Sequence, residues 1–171
     1  MITRVAAVED AAAIAQIHVR SWQQAYRGLI PQAYLDALDP ASRALIWCRS
    51  IAGQSPPTQA ALVIADSEQI LGFAHICPTR DDDAQNNAVG ELTSIYLHPD
   101  AWGNGLGHQL MAEALELLRE AGNTEVTLWV LEGNARAIHF YEANGWSLDG
   151  ATKRATIADT TVTEVRYRKT L

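Results

Sequence analysis

The sequence predicts a mixed α/β protein in which one central sheet is flanked by helices. Three features carry that prediction. In the middle of the chain, apolar runs rich in β-branched residues alternate with stretches of helical periodicity. On either side, pairs of apolar runs are joined by short polar turns, as in antiparallel hairpins. From Leu92 to Met111, LTSIYLHPDAWGNGLGHQLM, a β-branched run passes through a glycine-punctuated turn into an amphipathic helix.

Taken in order, Ile2 to Ala6 reads as a short strand, and Asp10 as the cap of a helix whose stripe carries Ile14, Ile17, Ser21 and Trp22. His18 lies on that stripe and reads as a packed, hydrogen-bonded histidine. Gly28 breaks the helix, Pro31 opens a short one through Leu38, and Asp39-Pro40 opens a third reaching about Ala52. Trp22, Tyr26, Tyr34 and Trp47 make this region aromatic, suited either to core packing or to one wall of an acceptor pocket. Gly53 to Gln59 is a loop, and Ala60 to Ala65 with Ile70 to Cys77 form a hairpin around Asp66 to Gln69. Pro78 to Asn87, PTRDDDAQNN, reads as a solvated loop whose acids are hydrated, and no metal site is expected.

Val89 to His98 is the next strand, and a period of two puts Glu91, Thr93, Ile95 and Leu97 on one face. A helix beginning near Gly107 turns Leu110, Met111, Ala114, Leu115, Leu117, Leu118 and Ala121 inward and stops at Gly122. Val126 to Leu131 is a buried strand, and Asn134 caps a helix from Ala135 to Asn144 that Gly145 ends. Trp146 to about Ile157 and Thr160 to Lys169 close the chain as a hairpin around Ala158-Asp159. With no internal repeat, low-complexity segment or linker, residues 1–171 are expected to form one domain.

Composition narrows the function classes. Hydrophobic residues at 48% and charged residues at 19% are an ordinary globular balance. A net charge of -7 argues against a nucleic-acid or anionic-membrane surface and is compatible with a cationic substrate. No stretch approaches the roughly 20 apolar residues of a membrane span, and the N-terminus lacks the apolar run of a signal peptide. Cys48 and Cys77 show no CxxC pairing and read as free thiols. A cytoplasmic location is the expectation.

Gly103, Gly105 and Gly107 alternate through the turn before the helix, leaving the first N–H groups of that helix unpaired beside the positive end of its dipole. Such a place suits phosphate or pyrophosphate. It is not a Walker loop, because His108 and Gln109 stand where Lys and Ser/Thr would follow the last glycine. Nor is it a dinucleotide fingerprint, since G-x-G-x-x-G fails from either Gly103 or Gly105.

Three separated pieces together resemble the GCN5-related N-acetyltransferases. HPDAWGNGLGHQLM is similar to that family's acetyl-CoA pyrophosphate loop, Q/R-x-x-G-x-G/A; ELTSIYLHP resembles the strand before it; and Asn134, Ala137 and FYEANGW resemble its N…A…FYE…GF helix. SWQQAYRGLIP and EVRYRKTL are similar to stretches of a subgroup of small members. Trp102 departs from the pattern, standing where Gln or Arg is usual. The resemblance implies a mostly antiparallel central sheet flanked by helices, with a splayed strand pair forming the acyl-CoA slot.

It also implies roles. The pyrophosphate would lie on the backbone N–H groups of Trp102, Gly103, Asn104, Gly105, Leu106, Gly107 and His108. The pantetheine arm would pair with the strand backbone at Ile95, Tyr96 and Leu97, and an N–H of Tyr96 or Leu97 would meet the oxyanion. Tyr141 matches the family's acid, and a phenol with a pKa of about 10 suits protonation of a thiolate of about 8.5. Asn134 serves as helix cap, as a contact to the cofactor's amides, or as both. Glu91 is the leading candidate base, with His75 and His98 as alternatives; an amine that arrives neutral needs none.

The resulting expectation is direct transfer of an acetyl group from acetyl-CoA to a primary amine of a small molecule or peptide. A homodimer is compatible with such a fold. A non-catalytic acyl-CoA-binding or sensing domain is the alternative, disfavoured by the presence of Tyr141. A nucleotide hydrolase is opposed by the missing Lys-Ser/Thr after Gly107.

Overall fold

The computed structural model describes residues 1–83 and 88–171, so the end of the expected 78–87 loop lies outside the described residues. The chain runs β1 (Ile2–Val5), α1 (Ala11–Ala25), α2 (Gln32–Asp36), α3 (Pro40–Ala52), β2 (Ala60–Ala65) and β3 (Ile70–Pro78). It continues through β4 (Val89–Leu97), α4 (Leu106–Glu120), β5 (Glu125–Leu131), α5 (Ala135–Ala143), β6 (Ser147–Ile157) and β7 (Thr160–Thr170). The strands form one sheet in the order β1-β2-β3-β4-β5-β7-β6. Every neighbouring pair is antiparallel except β4 and β5, which run parallel. No helix among the described residues is long and apolar enough to cross a membrane.

Local chemistry sets several boundaries. The Asp39 carboxylate accepts hydrogen bonds from the N–H groups of Ala41 (3.1 Å) and Ser42 (2.9 Å), and Pro40 occupies the first turn, which is why α3 starts there. Asp10 behaves differently from the expected cap. Its carboxylate pairs with the Arg4 guanidinium at 2.6 and 2.9 Å and accepts from Ala7 N–H, tying β1 to a 3-10 turn instead of capping α1. Both cysteines are free, and burial pushes the Cys77 thiol up to about 11.

Each face of the sheet has its own core. Leu110, Met111, Ala114 and Leu118 of α4 pack on Leu62, Ile64, Ala74, Ile76, Leu92 and Leu128. Ile14 and Ile17 of α1, with Trp47 and Ile51 of α3, pack on Ala61, Val63 and Phe73. Each large aliphatic residue so buried contributes roughly 1.5–3 kcal/mol. Gly90 brings β4 close to α4, since a Cβ there would lie 2.5 Å from Leu118 Cδ2.

Two irregularities in β4 position the site. His75 pairs with Ser94 but Ile76 pairs with Leu92, so Thr93 is an extra residue bulged out of the ladder. The bulge resets the alternation: Ile95 and Leu97 pack into the core under α4, whereas Tyr96 joins the core under α1. The expected single face of Glu91, Thr93, Ile95 and Leu97 is therefore corrected. Second, β4 pairs with β5 only through Val89, Gly90 and Glu91. Beyond that point β4 stays bonded to β3 and β5 to β7, so the two strands part and leave a slot between them.

Candidate active site

The splay opens into a cavity of about 810 Å³ that passes from the α4–α5 side of the sheet to the α1 side. Its first side is lined by Trp102, Gly103, Gly105, Gly107, Asn134, Arg136, Phe140 and Tyr141, and its second by Trp22, Tyr26, Tyr96, Trp129, Leu131 and Glu164.

At the mouth on the α4 side, Gly103 (φ +83°) and Gly105 (φ +77°) adopt left-handed conformations that side-chain-bearing residues rarely take. Gly107 serves by close approach: a Cβ there would press on the Phe140 ring at 3.2 Å. The turn leaves the N–H groups of Gly103, Asn104, Gly105, Leu106 and Gly107 without a partner among the described residues, at the N-terminus of the 15-residue α4. This is a nest of donors for an anion. The expected donors at its two ends are not part of it, because the Trp102 N–H donates to the Pro99 carbonyl at 3.2 Å and the His108 N–H to the Gly105 carbonyl at 3.1 Å.

Trp102 fits the nest indirectly. Its indole N–H donates to the Leu97 carbonyl (3.0 Å), and the Arg136 guanidinium stacks 3.7 Å from its ring centroid. A cation is therefore present beside the loop although its usual position lacks one, delivered from α5 across the indole. Arg136 lies between Asn134 and Ala137 in the chain, yet no sequence signal marks it, because nothing local links it to Trp102.

Along the slot, the His98 N–H donates to the Leu71 carbonyl at 2.8 Å, which fixes the phase of the antiparallel pairing with β3. Alternation then points the N–H and C=O of Tyr96 at β3 and those of Ile95 and Leu97 into the slot. The Leu97 carbonyl is occupied by Trp102 and by the Ser21 hydroxyl (2.9 Å), while its N–H remains turned toward the cavity. Of the expected backbone contacts, Ile95 and Leu97 thus face the slot and Tyr96 does not. Tyr96 contributes its side chain on the α1 side instead, where its hydroxyl accepts from Trp22 Nε1 (3.1 Å) and lies 3.3 Å from that of Tyr26.

Asn134 and Tyr141 face the slot from α5. Asn134 Oδ1 accepts from Ala137 N–H at 3.2 Å, so the cap uses the oxygen and leaves the amide NH₂ for the cavity. The Tyr141 hydroxyl makes no hydrogen bond among the described residues, unlike those of Tyr26, Tyr96 and Tyr167. Burial raises its pKa well above the ordinary phenol value, with the nearby Tyr96 adding to the effect.

The three expected base candidates are not brought to this cavity. Glu91 is 2% exposed and off the lining; Arg80 pairs with both of its oxygens, and the Arg80 backbone N–H also donates to it at 3.1 Å. A carboxylate so engaged anchors the start of the 79–83 segment rather than receiving a substrate proton. His75 contacts Thr93 Oγ1 at 2.7 Å, and burial lowers its pKa. His98 sits outside, accepting from Asp100 N–H. His18 is a packed residue as expected: it accepts from Trp47 Nε1 (3.2 Å), stacks on Tyr96, and is pushed down to about 4, chiefly by burial. Glu164 of β7 is the only carboxylate among the described lining residues. It opens the EVRYRKTL stretch, yet only the strand order, which carries β7 past β5, reveals where it faces.

The acetyltransferase (GNAT) family profile matches residues 12–146. An uncharacterized N-acetyltransferase of Bacillus subtilis, YuaI, is 35% identical over 147 residues, covering 84% of this chain and 79% of that protein. A mycothiol acetyltransferase of Rhodococcus opacus is 35% identical over 86 residues, covering 50% of this chain and 28% of its own greater length. The fold is also that of the PaiA N-acetyltransferase of Thermoplasma acidophilum, solved in complex with coenzyme A. That structure has a TM-score of 0.76 and 19% identity, covering 99% of this chain and 98% of the other.

Proposed function

The chain belongs to the acetyltransferase (GNAT) family, and on that premise we propose that residues 1–171 form one catalytic domain that transfers an acetyl group from acetyl-CoA to a primary amine of a small molecule or peptide. The observation that carries this reading is the continuity of the cavity from a nest of free N–H groups, along exposed strand backbone, to an unbonded tyrosine hydroxyl. An anionic pyrophosphate, an amide-bearing arm and a thioester need those three environments in that order.

When bound, the coenzyme supplies an acyl group activated as a thioester. The N–H groups from Gly103 to Gly107 hold its pyrophosphate, Ile95 and the Asn134 amide engage its arm, and the Leu97 N–H donates to the acyl oxygen as charge gathers there. The amine nitrogen forms the new C–N bond as the C–S bond breaks. Tyr141 gives its phenol proton to the sulfur, and the surplus proton of the nitrogen restores the phenol through solvent. Glu91, His75 and His98 all lie off the cavity lining, so none of them takes the amine's first proton; an amine that arrives neutral needs no dedicated base.

Arg136 takes over the electrostatic duty that Trp102 cannot perform. Arg136→Ala is expected to weaken acetyl-CoA binding about tenfold at low salt and to flatten its salt dependence. Calorimetric titration at two ionic strengths checks this; an Arg136→Ala affinity that equals the parent protein's at each ionic strength, with the same salt dependence, removes Arg136 from the site. For the reaction itself, the purified protein mixed with acetyl-CoA and a panel of primary amines should release CoA thiol only in the presence of an acceptor. Tight acetyl-CoA binding with no thiol release from any amine would favour the non-catalytic binding domain.

A further inference from the structure

The cavity is electrically polar along its length. Its only described carboxylate, Glu164, and its only described arginine, Arg136, lie on opposite sides of the sheet. On the Glu164 side the walls are Trp22, Tyr26, Tyr96, Trp129, Leu131 and Ile157, a pocket of aromatic and apolar surface with one negative charge. That charge is already engaged: the Lys153 ammonium lies 3.4 Å from Glu164 Oε2 and 4.1 Å from the centroid of the Trp129 ring. A carboxylate and an indole face meeting one alkylammonium make a cation seat. Lys153, about 43% exposed and directly opposite Glu164 in the β6–β7 ladder, reaches it from the β6 edge and is not itself part of the cavity lining.

Resting on the proposed transferase reading and extending it, we infer that this seat holds a second cationic group of the acceptor, remote from the nitrogen that is acetylated. Lys153 is its intramolecular competitor. The reacting nitrogen itself does not belong there. A carboxylate stabilises the protonated, non-nucleophilic form of an amine, so the seat opposes attack by any nitrogen it grips and suits a spectator cation. The acceptor class is thus a diamine or a comparable amine with two cationic centres. A carboxylate beside the distal nitrogen would face Glu164 across an apolar pocket.

The test compares straight-chain diamines of graded length with monoamines of matched length, using CoA thiol release for kcat and KM and calorimetry for acetyl-CoA affinity. For the best diamine, KM in the parent protein is expected to lie roughly tenfold to a hundredfold below that of its matched monoamine. Glu164→Gln should erase that difference while leaving acetyl-CoA affinity unchanged. Lys153→Gln should lower the diamine KM a fewfold. Equal KM values for the two amine classes in the parent protein, or discrimination that survives Glu164→Gln, overturn the seat. A Lys153→Gln protein that loses diamine affinity and gains none overturns the competitor. If no amine releases thiol from a protein that binds acetyl-CoA, the transferase reading falls and the seat with it; turnover of monoamines alone overturns only the seat.

Discussion

Tyr141→Phe is expected to lower kcat about a hundredfold, the low end of the range for general acids, with acetyl-CoA affinity and folding unchanged. The low end applies because a thiolate, whose conjugate acid has a pKa of about 8.5, is already a fair leaving group. Folding is spared because the hydroxyl makes no hydrogen bond among the described residues, so its loss orphans no partner there. The pH dependence has a definite sign. Tyr141 works in its protonated form and its pKa is raised by burial, so the pH at which the acid is lost moves upward. The parent enzyme should therefore show no falling alkaline limb assignable to Tyr141 below about pH 10, the ordinary phenol value. Activity should instead rise with pH as more of the amine becomes neutral. A Tyr141→Phe enzyme with unchanged kcat would remove the acid role.

The second large effect concerns the turn. Gly105 is the residue before α4 and has φ +77°, and a Cβ added there would meet nothing within 4 Å. A side chain at this position is thus opposed by backbone conformation rather than by crowding. For an L-residue the left-handed state costs about 1–2 kcal/mol, and more when the side chain is β-branched. Gly105→Val should relieve that strain by turning the peptide, which swings the N–H groups of Leu106 and Gly107 away from a common focus. Two charge-assisted hydrogen bonds at about 1.5–3 kcal/mol each are then at stake, so acetyl-CoA affinity should fall at least a hundredfold. Gly122→Val is the control: it carries the same conformational strain (φ +86°) at the far end of α4 and lies off the cavity. It should cost stability and leave affinity intact. Near-normal affinity in Gly105→Val, by calorimetry, would mean that the anion does not sit on this turn.

The elements that sequence placed well are those with chemical punctuation of their own. Asp39-Pro40 opens α3, Asn134 opens α5, and the Ala158-Asp159 turn, with both residues at positive φ, closes the last hairpin. The glycines of the turn were legible because their function is the absence of a side chain. What stayed hidden depends on tertiary contact. A single bulged residue, Thr93, has no propensity signature, yet it reversed the facing of everything after it in β4 and separated Glu91 from Ile95 and Leu97. Glu91 looked available because its partner Arg80 comes from a preceding loop. Arg136 acquires meaning only through the Trp102 ring beneath it, and Glu164 only because β7 lies next to β5. Backbone roles were thus readable from local sequence, and side-chain roles largely were not.

The splay between β4 and β5 is, on this reading, the seat of the thioester. A crystal structure of the complex with acetyl-CoA, or with an unreactive thioether analogue, tests it most directly. The pyrophosphate should lie on the N–H groups of Gly103 to Gly107, the acyl oxygen within hydrogen-bond reach of the Leu97 N–H, and the sulfur beside the Tyr141 hydroxyl. Coenzyme bound with its acyl end outside the slot, or with its oxygen directed away from Leu97 and its sulfur away from Tyr141, would contradict that seat.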